Sequence, residues 1–262
     1  MPDPVLQQVE HFNNPGITQN DAFKPVTKYF DRITRPEQIL QTFPQAVQVL
    51  LDPADCGPVC ISLCQDIQGE IFDYPEDFFK EKIHNIRRPR PDDFQIKEAA
   101  EKIKKSKNPI IISGGGVFYS DAMEELSTFA VKHNIPVTQT VMGYSSMKRD
   151  HSHFLGPIGG LGGKAANNFA KKTDLAIAIG TKLGDFTTGS WSNFENPNFS
   201  LVSINVARFD ASKHMAQSII GDAKVSLNEL SQALGDWKAS EEWHKKSRDE
   251  LKSWNEYVDK ES

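Results

Sequence analysis

The sequence predicts an α/β protein built on a doubly wound, mainly parallel sheet, with a partial second α/β unit ahead of it. Three observations carry this. Short apolar runs recur at Pro109 to Ser113, Leu175 to Ile179 and Leu201 to Asn205; segments of helical period separate the runs; and glycine-rich turns follow the first two of them. A continuous apolar run suits a parallel strand covered on both faces, and alternation of such runs with amphipathic helices defines a layered α/β domain.

Residues 1 to about 35 are rich in Asn, Gln and Pro without a clear period, which predicts loop with one short helix. Pro36 then stands at a helix start, and Ile39, Leu40, Phe43, Ala46, Val47, Leu50 and Leu51 recur at three- and four-residue spacing, predicting an amphipathic helix packed by that face. Gly57-Pro58 makes a turn into Val59 to Cys64, a short buried strand. Pro75, Pro89 and Pro91 with Arg87, Arg88 and Arg90 mark a stiff charged linker.

After the linker, Asp92-x-x-Gln95 has the spacing of a capping box, followed by Ile96, Ala99, Ala100 and Ile103 on one helical face. The strand Pro109 to Ser113, the turn Gly114-Gly115-Gly116, a helix carrying Ala122, Leu126, Phe129, Ala130 and His133, and the strand Pro136 to Thr140 form a strand-helix-strand crossover. Leu155 to Ile158 reads as loop leading into Gly156 to Gly163, with a helix from about Lys164 and then the strands at 175–179 and 201–205. Four strands are expected in all. Beyond Asp236, Trp243, Leu251, Trp254 and Val258 form a stripe with no evident cover in the chain, which predicts an interface or the start of a further segment. The predicted organisation is a partial unit over 1–74, a linker over 75–92, a main domain over 93–235 and a helical segment over 236–262.

The 262 residues carry a net charge of −5, from Lys+Arg 30 and Asp+Glu 35. That balance argues against nucleic acid as a partner. No run approaches the ~20 apolar residues of a membrane span, and the first residues lack the pattern of a signal peptide, so no membrane partner is expected and the default compartment is the cytoplasm. Cys56, Cys60 and Cys64 are read as small buried thiols, since their spacing lacks the arms of a zinc site.

The chemistry-bearing candidates are the glycine turns. Backbone N–H groups at a helix start attract anions, and glycine lets a phosphate come close. Gly114-x-Gly116 lacks the third small residue of the dinucleotide fingerprint, because Tyr119 stands there; Gly160, Gly162 and Gly163, with Ala165, do satisfy G-x-G-x-x-A. Gly180, Thr181, Lys182 and Asp185 follow a strand end, with Lys182 placed for a phosphate and Asp185 for a ribose hydroxyl. The competing reading is that these turns only allow helix and sheet to approach. His151-Ser152-His153 is an acid-base or metal-ligand candidate, or a local backbone cap; Asp66 and Glu70 are a carboxylate pair or solvated charges. Nucleophile-elbow, zinc-helix and phosphate-loop motifs are missing, so no catalytic residue and no metal ligand is assigned.

Taken together, F-K-P-V-T-K (Phe23 to Lys28), R-P-E-Q (Arg35 to Gln38), G-P-V-C-I-S-L-C-Q-D-I-Q-G-E (Gly57 to Glu70), N-P-I-I-I-S-G-G-G-V (Asn108 to Val117) and D-L-A-I-A-I-G-T-K-L-G-D-F-T-T (Asp174 to Thr188) resemble the thiamine-diphosphate-dependent acetolactate synthase superfamily. D-P-V-L-Q-Q (Asp3 to Gln8), Asn20 to Thr27 and D-Y-P-E-D-F-F (Asp73 to Phe79) resemble its branch that opens a cyclic 1,2-diketone by C–C hydrolysis in myo-inositol breakdown. The resemblance covers nearly the whole chain. It implies the end of a pyrimidine-binding domain, a Rossmann-like central domain over 93–235, and the start of the connection to a diphosphate-binding domain.

It further implies thiamine diphosphate and magnesium in a parent enzyme. The activating glutamate and the magnesium and diphosphate motif of that family fall outside this sequence, so the chain alone is expected to be inactive. The parent is expected to be a homodimer or homotetramer acting on a small cyclic diketone. Acetohydroxyacid synthases of the superfamily hold FAD at the turns matching Gly114 to Gly116, Gly160 to Gly163 and Gly180 to Asp185, typically with G-x-R-x-D-D-R at the last. Here Lys182 replaces the first arginine, Gly184 and Asp185 stand for the paired acids, and Phe186 replaces the final arginine, which removes bidentate phosphate contacts and argues against a flavin. The rival readings are a piece of a flavin-bearing acetolactate synthase, and a free-standing nucleotide-binding or interaction module.

Overall fold

A computed structural model describes residues 17–261. The motif at Asp3 to Gln8, and the part of the predicted loop before Ile17, lie outside the described residues. Two compact units divide at Arg87 and Arg88. Among the described residues no helix is long and apolar enough to cross a membrane.

In the first unit, β1 (Tyr29–Ile33) and β2 (Val59–Leu63) pair in parallel from Tyr29 opposite Val59 to Ile33 opposite Leu63. Between them a 3-10 turn, Pro36–Gln38, runs into helix α1 (Ile39–Leu51). The expected apolar face is only partly covered: Phe43 and Leu50 are 52% and 49% exposed, whereas Thr42 and Ala46 are buried. Two strands are too narrow to cover a helix face of this width, so the helix is pinned by polar chemistry as well. The Asp31 carboxylate accepts from the Thr42 hydroxyl, from Gln38 Nε2 at 3.1 Å and from the Arg32 amide at 2.8 Å. Burial pushes the Asp31 carboxyl up, but these donors outweigh it and hold the group below its ordinary value. No disulfide joins the three cysteines, and they are unequally placed: Cys64 is buried, Cys60 is partly covered and Cys56 is exposed, so the expectation of three buried thiols holds for Cys64 alone.

The second unit starts with helix α2 (Asp93–Lys105). Asp92 caps it by accepting from the Phe94 amide at 2.8 Å, while Gln95 turns away and accepts from the Ile220 amide at 3.0 Å, so half of the capping box forms. Then come β3 (Pro109–Ser113), α3 (Gly116–Tyr119), α4 (Met123–His133), β4 (Val137–Gln139), β5 (Phe154–Pro157), α5 (Lys164–Ala170), β6 (Leu175–Ile179), α6 (Asp185–Thr188), β7 (Ser200–Asn205), α7 (Arg208–Ser212), β8 (Gln217–Ile220), α8 (Ala223–Leu234) and α9 (Glu241–Glu261). All six strands of this sheet are parallel, in the order β5-β4-β3-β6-β7-β8. The doubly wound α/β class is therefore correct.

Two strands exceed the four expected. β5 occupies residues read as loop, because Gly156 and Pro157 hide the strand pattern; β8 has only two apolar residues in a partly covered edge position. Every residue of β3 and β6 is buried, as strands covered on both faces require. Helices α2, α8 and α4 pack in series, and α5 packs with α9.

Helix α9 overturns most of one expectation. Its stripe is covered by its own unit except at Val258, which stays 37% exposed: Trp243 is 4% exposed, its ring centroid lies 4.0 Å from that of Phe169, and its Nε1–H donates to the Pro109 carbonyl at 2.8 Å. Leu251 and Trp254 pack on the same core. The start of α8 is capped by the buried Asp222 carboxylate, which accepts from the Lys224 and Val225 amides at 3.0 and 3.2 Å and pairs with Arg88 at 3.1 Å. Loss of a cap costs up to about 2 kcal/mol, and loss of the partly exposed pair with Arg88 adds at most about 1 kcal/mol, so Asp222→Ala should lower stability by about 2–3 kcal/mol in urea unfolding.

Candidate functional site

The strand order reverses between β3 and β6, and open α/β sheets offer their ligand crevice beyond the carboxyl ends at such a switch point. Both turns at this point are among the candidates. The Gly114 and Gly116 amides donate to the Ile179 and Gly180 carbonyls, each at 2.9 Å. The two turns thus lie backbone on backbone. A Cβ at Gly114 would run into the Gly180 carbonyl, one at Gly116 would sit 2.6 Å from Gly180 Cα, and one at Gly180 would sit 2.5 Å from Gly116 Cα. Gly180 also has φ +59°, a left-handed conformation that side chains disfavour. Gly115 faces the Met142 carbonyl, at 3.2 Å from an added Cβ.

The second glycine loop joins the same edge. It follows β5 and opens α5, so Gly160, Gly162 and Gly163 have a strand-turn-helix context that sequence alone had denied them. The Gly160 amide donates to the Phe186 carbonyl at 2.7 Å, tying this loop to the turn carrying Asp185. An added Cβ at Gly162 would strike its own turn, 2.6 Å from the Ile158 carbonyl carbon, and one at Gly163 would lie 3.1 Å from Trp254 Nε1. Gly160 and Gly184 face open space, with the nearest atom 3.8 Å away at Gly160 and none within 4 Å at Gly184. Asn167 clamps the loop by accepting from the Gly159 amide at 2.9 Å and donating to its carbonyl at 3.0 Å. No local pattern marks Asn167 in the sequence.

The polar candidates are spread along this edge. Thr181 is buried, and its hydroxyl accepts from the Leu183 amide at 3.3 Å. Lys182 and Asp185 are exposed, as are Met142, Tyr144, Leu161 and Phe186 beside them. His151 and His153 stand elsewhere, ahead of β5, where the His153 amide donates to His151 Nδ1 at 3.1 Å, as a local backbone cap does. Asp66 caps its own turn by accepting from the Ile67 amide at 3.0 Å.

A family profile described as thiamine pyrophosphate enzyme, central domain, matches residues 96–230, from inside α2 to inside α8. The chain belongs to the thiamine pyrophosphate enzymes. The matched part of this thiamine pyrophosphate-enzyme chain is the central domain, and it contains all ten candidate positions of the glycine turns. The chain is also similar to proteins named 3D-(3,5/4)-trihydroxycyclohexane-1,2-dione hydrolase. Identity is 52% over 233 residues with that of Clostridium perfringens (strain 13 / Type A), covering 89% of this chain and 36% of the relative. It is 48% over 259 residues with that of Clostridium botulinum (strain Alaska E43 / Type E3), covering 97% and 40%. With that of Geobacillus thermodenitrificans (strain NG80-2) it is 44% over 236 residues, covering 90% and 37%. The chain thus spans well under half the length of these relatives.

A magnesium-bound diphosphate, the reactive cofactor's anchor, needs several oxygen ligands about one cation. Among the described residues no group of three or more His, Cys, Asp or Glu is placed to hold a metal ion. Three glycines at the switch point are filled by each other's backbone, and Lys182 is exposed. The described residues therefore do not fit thiamine diphosphate with magnesium, and no catalytic step is assigned to them.

Proposed function

We propose that this chain is the non-catalytic central-domain portion of a longer thiamine-diphosphate-dependent hydrolase that opens the ring of 3D-(3,5/4)-trihydroxycyclohexane-1,2-dione by C–C cleavage in myo-inositol degradation. The observation that carries this reading is the 52% identity to a protein of that name across 89% of the chain. In such an enzyme the cofactor supplies the nucleophile and electron sink, and magnesium anchors its diphosphate. The role of this portion is architectural. The backbone-filled turns at Gly114, Gly116 and Gly180 support packing over phosphate binding, and the exposed Met142, Tyr144, Leu161 and Phe186 support burial of the carboxyl edge against other parts of the enzyme. The parent is proposed to be cytoplasmic and a homodimer or homotetramer, without nucleic-acid or membrane partners.

The test compares the 262-residue chain with the complete enzyme from the same source, following loss of the dione by chromatography. The complete enzyme should turn over with added thiamine diphosphate and magnesium, and the chain should show none. Turnover by the pure chain overturns the non-catalytic assignment; inactivity of the complete enzyme on the dione, or a retained flavin, overturns the substrate assignment.

A further inference from the structure

Helix α9 closes on the central domain through histidines. His244, in its first turns, stacks face to face on His153, with ring centroids 4.1 Å apart and planes 12° apart. His151 lies 5.8 Å from His153, also centroid to centroid. His153 is 6% exposed, His244 only partly covered.

The rings of His151 and His153 are held by partners that suit their neutral forms. Asn134 Nδ2 donates to the Ala239 carbonyl at 3.2 Å, which turns Asn134 Oδ1 towards His153 Nε2 at 3.1 Å. His153 Nε2 therefore bears the proton, and its Nδ1 accepts from the Ser152 hydroxyl at 2.9 Å. His151 Nδ1 is an acceptor because the His153 amide donates to it, so its Nε2–H donates to Ser127 Oγ at 2.9 Å. His244 Nε2–H donates to the Ser152 carbonyl at 3.1 Å.

We infer that the His153–His244 stack is an acid-released clasp that holds α9 on the sheet. Protonating His151 breaks its bond from the His153 amide, and protonating both stacked rings sets two cations 4.1 Å apart. The charged and titratable groups acting on the cluster are Asp150 and His151 ahead of β5, and His244 and Arg248 on α9; α4 offers the neutral Ser127 and Asn134. Arg248 opposes protonation of both His151 and His153, while Asp150 favours that of His151.

Burial, then His244, His151 and Arg248, push His153 down to about 4 from its ordinary 6.5. The unfolded chain thus takes up a proton between those values while the closed clasp refuses it. The clasp is at full strength above about pH 6.5, weakens as pH falls through that window, and is lost below about pH 4. Opening would bare the Trp243–Phe169 contact and lift Trp254 from Gly163, so the second glycine loop is uncovered by the same event.

The experiment is hydrogen exchange on the full chain from pH 7 to pH 4.5, corrected for the intrinsic pH dependence of exchange. Amides of α9 should lose at least tenfold in protection while those of β3, β6 and β7 keep theirs. His244→Phe, which keeps a flat ring on His153 without a charge, should move α9 release to lower pH; His244→Gln serves the same purpose if the first variant does not fold. Unchanged α9 protection down to pH 4.5, α9 and sheet opening together, or release at the same pH in the variants would each overturn the clasp.

Discussion

Gly180→Val should lower the unfolding free energy of the unit spanning Arg88 to Ser262 by about 3–5 kcal/mol. Two penalties combine. At φ +59° a side chain costs roughly 1–2 kcal/mol, and a β-branched one more. The added Cβ would also lie 2.5 Å from Gly116 Cα and 2.8 Å from the Gly116 carbonyl carbon, backbone atoms with no rotamer by which to yield. Overpacking a fixed site typically costs about 1–3 kcal/mol. Gly184→Val, in the same turn but facing open space, is the control and should cost less than about 1 kcal/mol. Urea unfolding followed by circular dichroism checks both. Equal effects at the two positions would show that β3 and β6 do not rely on this crossing.

Trp243→Ala should cost about 3–5 kcal/mol, the range for emptying a buried aromatic site. The indole is almost fully buried, lies against Phe169, and satisfies the Pro109 carbonyl at the start of β3. Trp243→Phe separates the contributions: it keeps most of the ring contact and leaves that carbonyl without its donor, so about 1–2 kcal/mol should be lost. Thermal unfolding of the three proteins, read at the wild-type midpoint, gives the ranking. If alanine and phenylalanine cost the same, the hydrogen bond carries the site; if alanine costs nothing, α9 is not docked in solution.

Much of the fold was legible because burial on both faces writes itself as uninterrupted apolar runs. Pro109 to Ser113 and Leu175 to Ile179 have that form, and both lie at the sheet centre. The edges were harder. Phe154 to Pro157 carries the glycine and proline of a turn, and its strand character comes from pairing with β4 rather than from propensity. The stripe on α9 was visible as spacing, but its cover was not, since Phe169 sits on a seven-residue helix and Pro109 lies 134 positions away. The glycines posed a different problem. Absence of a side chain serves a phosphate and a passing backbone equally well, so residue type could not choose between them; the crossing of Gly116 and Gly180 is a three-dimensional fact. The histidine pair was conspicuous at His151 and His153, but the third ring arrives from His244, on another element.

The two outermost strands of the six-stranded sheet limit how the domain can associate. β8 is four residues long, with α2 and α7 packed on it. β5 ends in Pro157, which has no amide hydrogen, and follows Gly156 at φ +109°, while α5 and α9 pack along it. A foreign strand adding to either margin would find few aligned donors and acceptors, the condition that keeps open sheets from polymerising. Assembly by extension of the sheet is therefore disfavoured, and neighbouring protein must meet this domain through side chains on its helices or through the loops at its carboxyl edge.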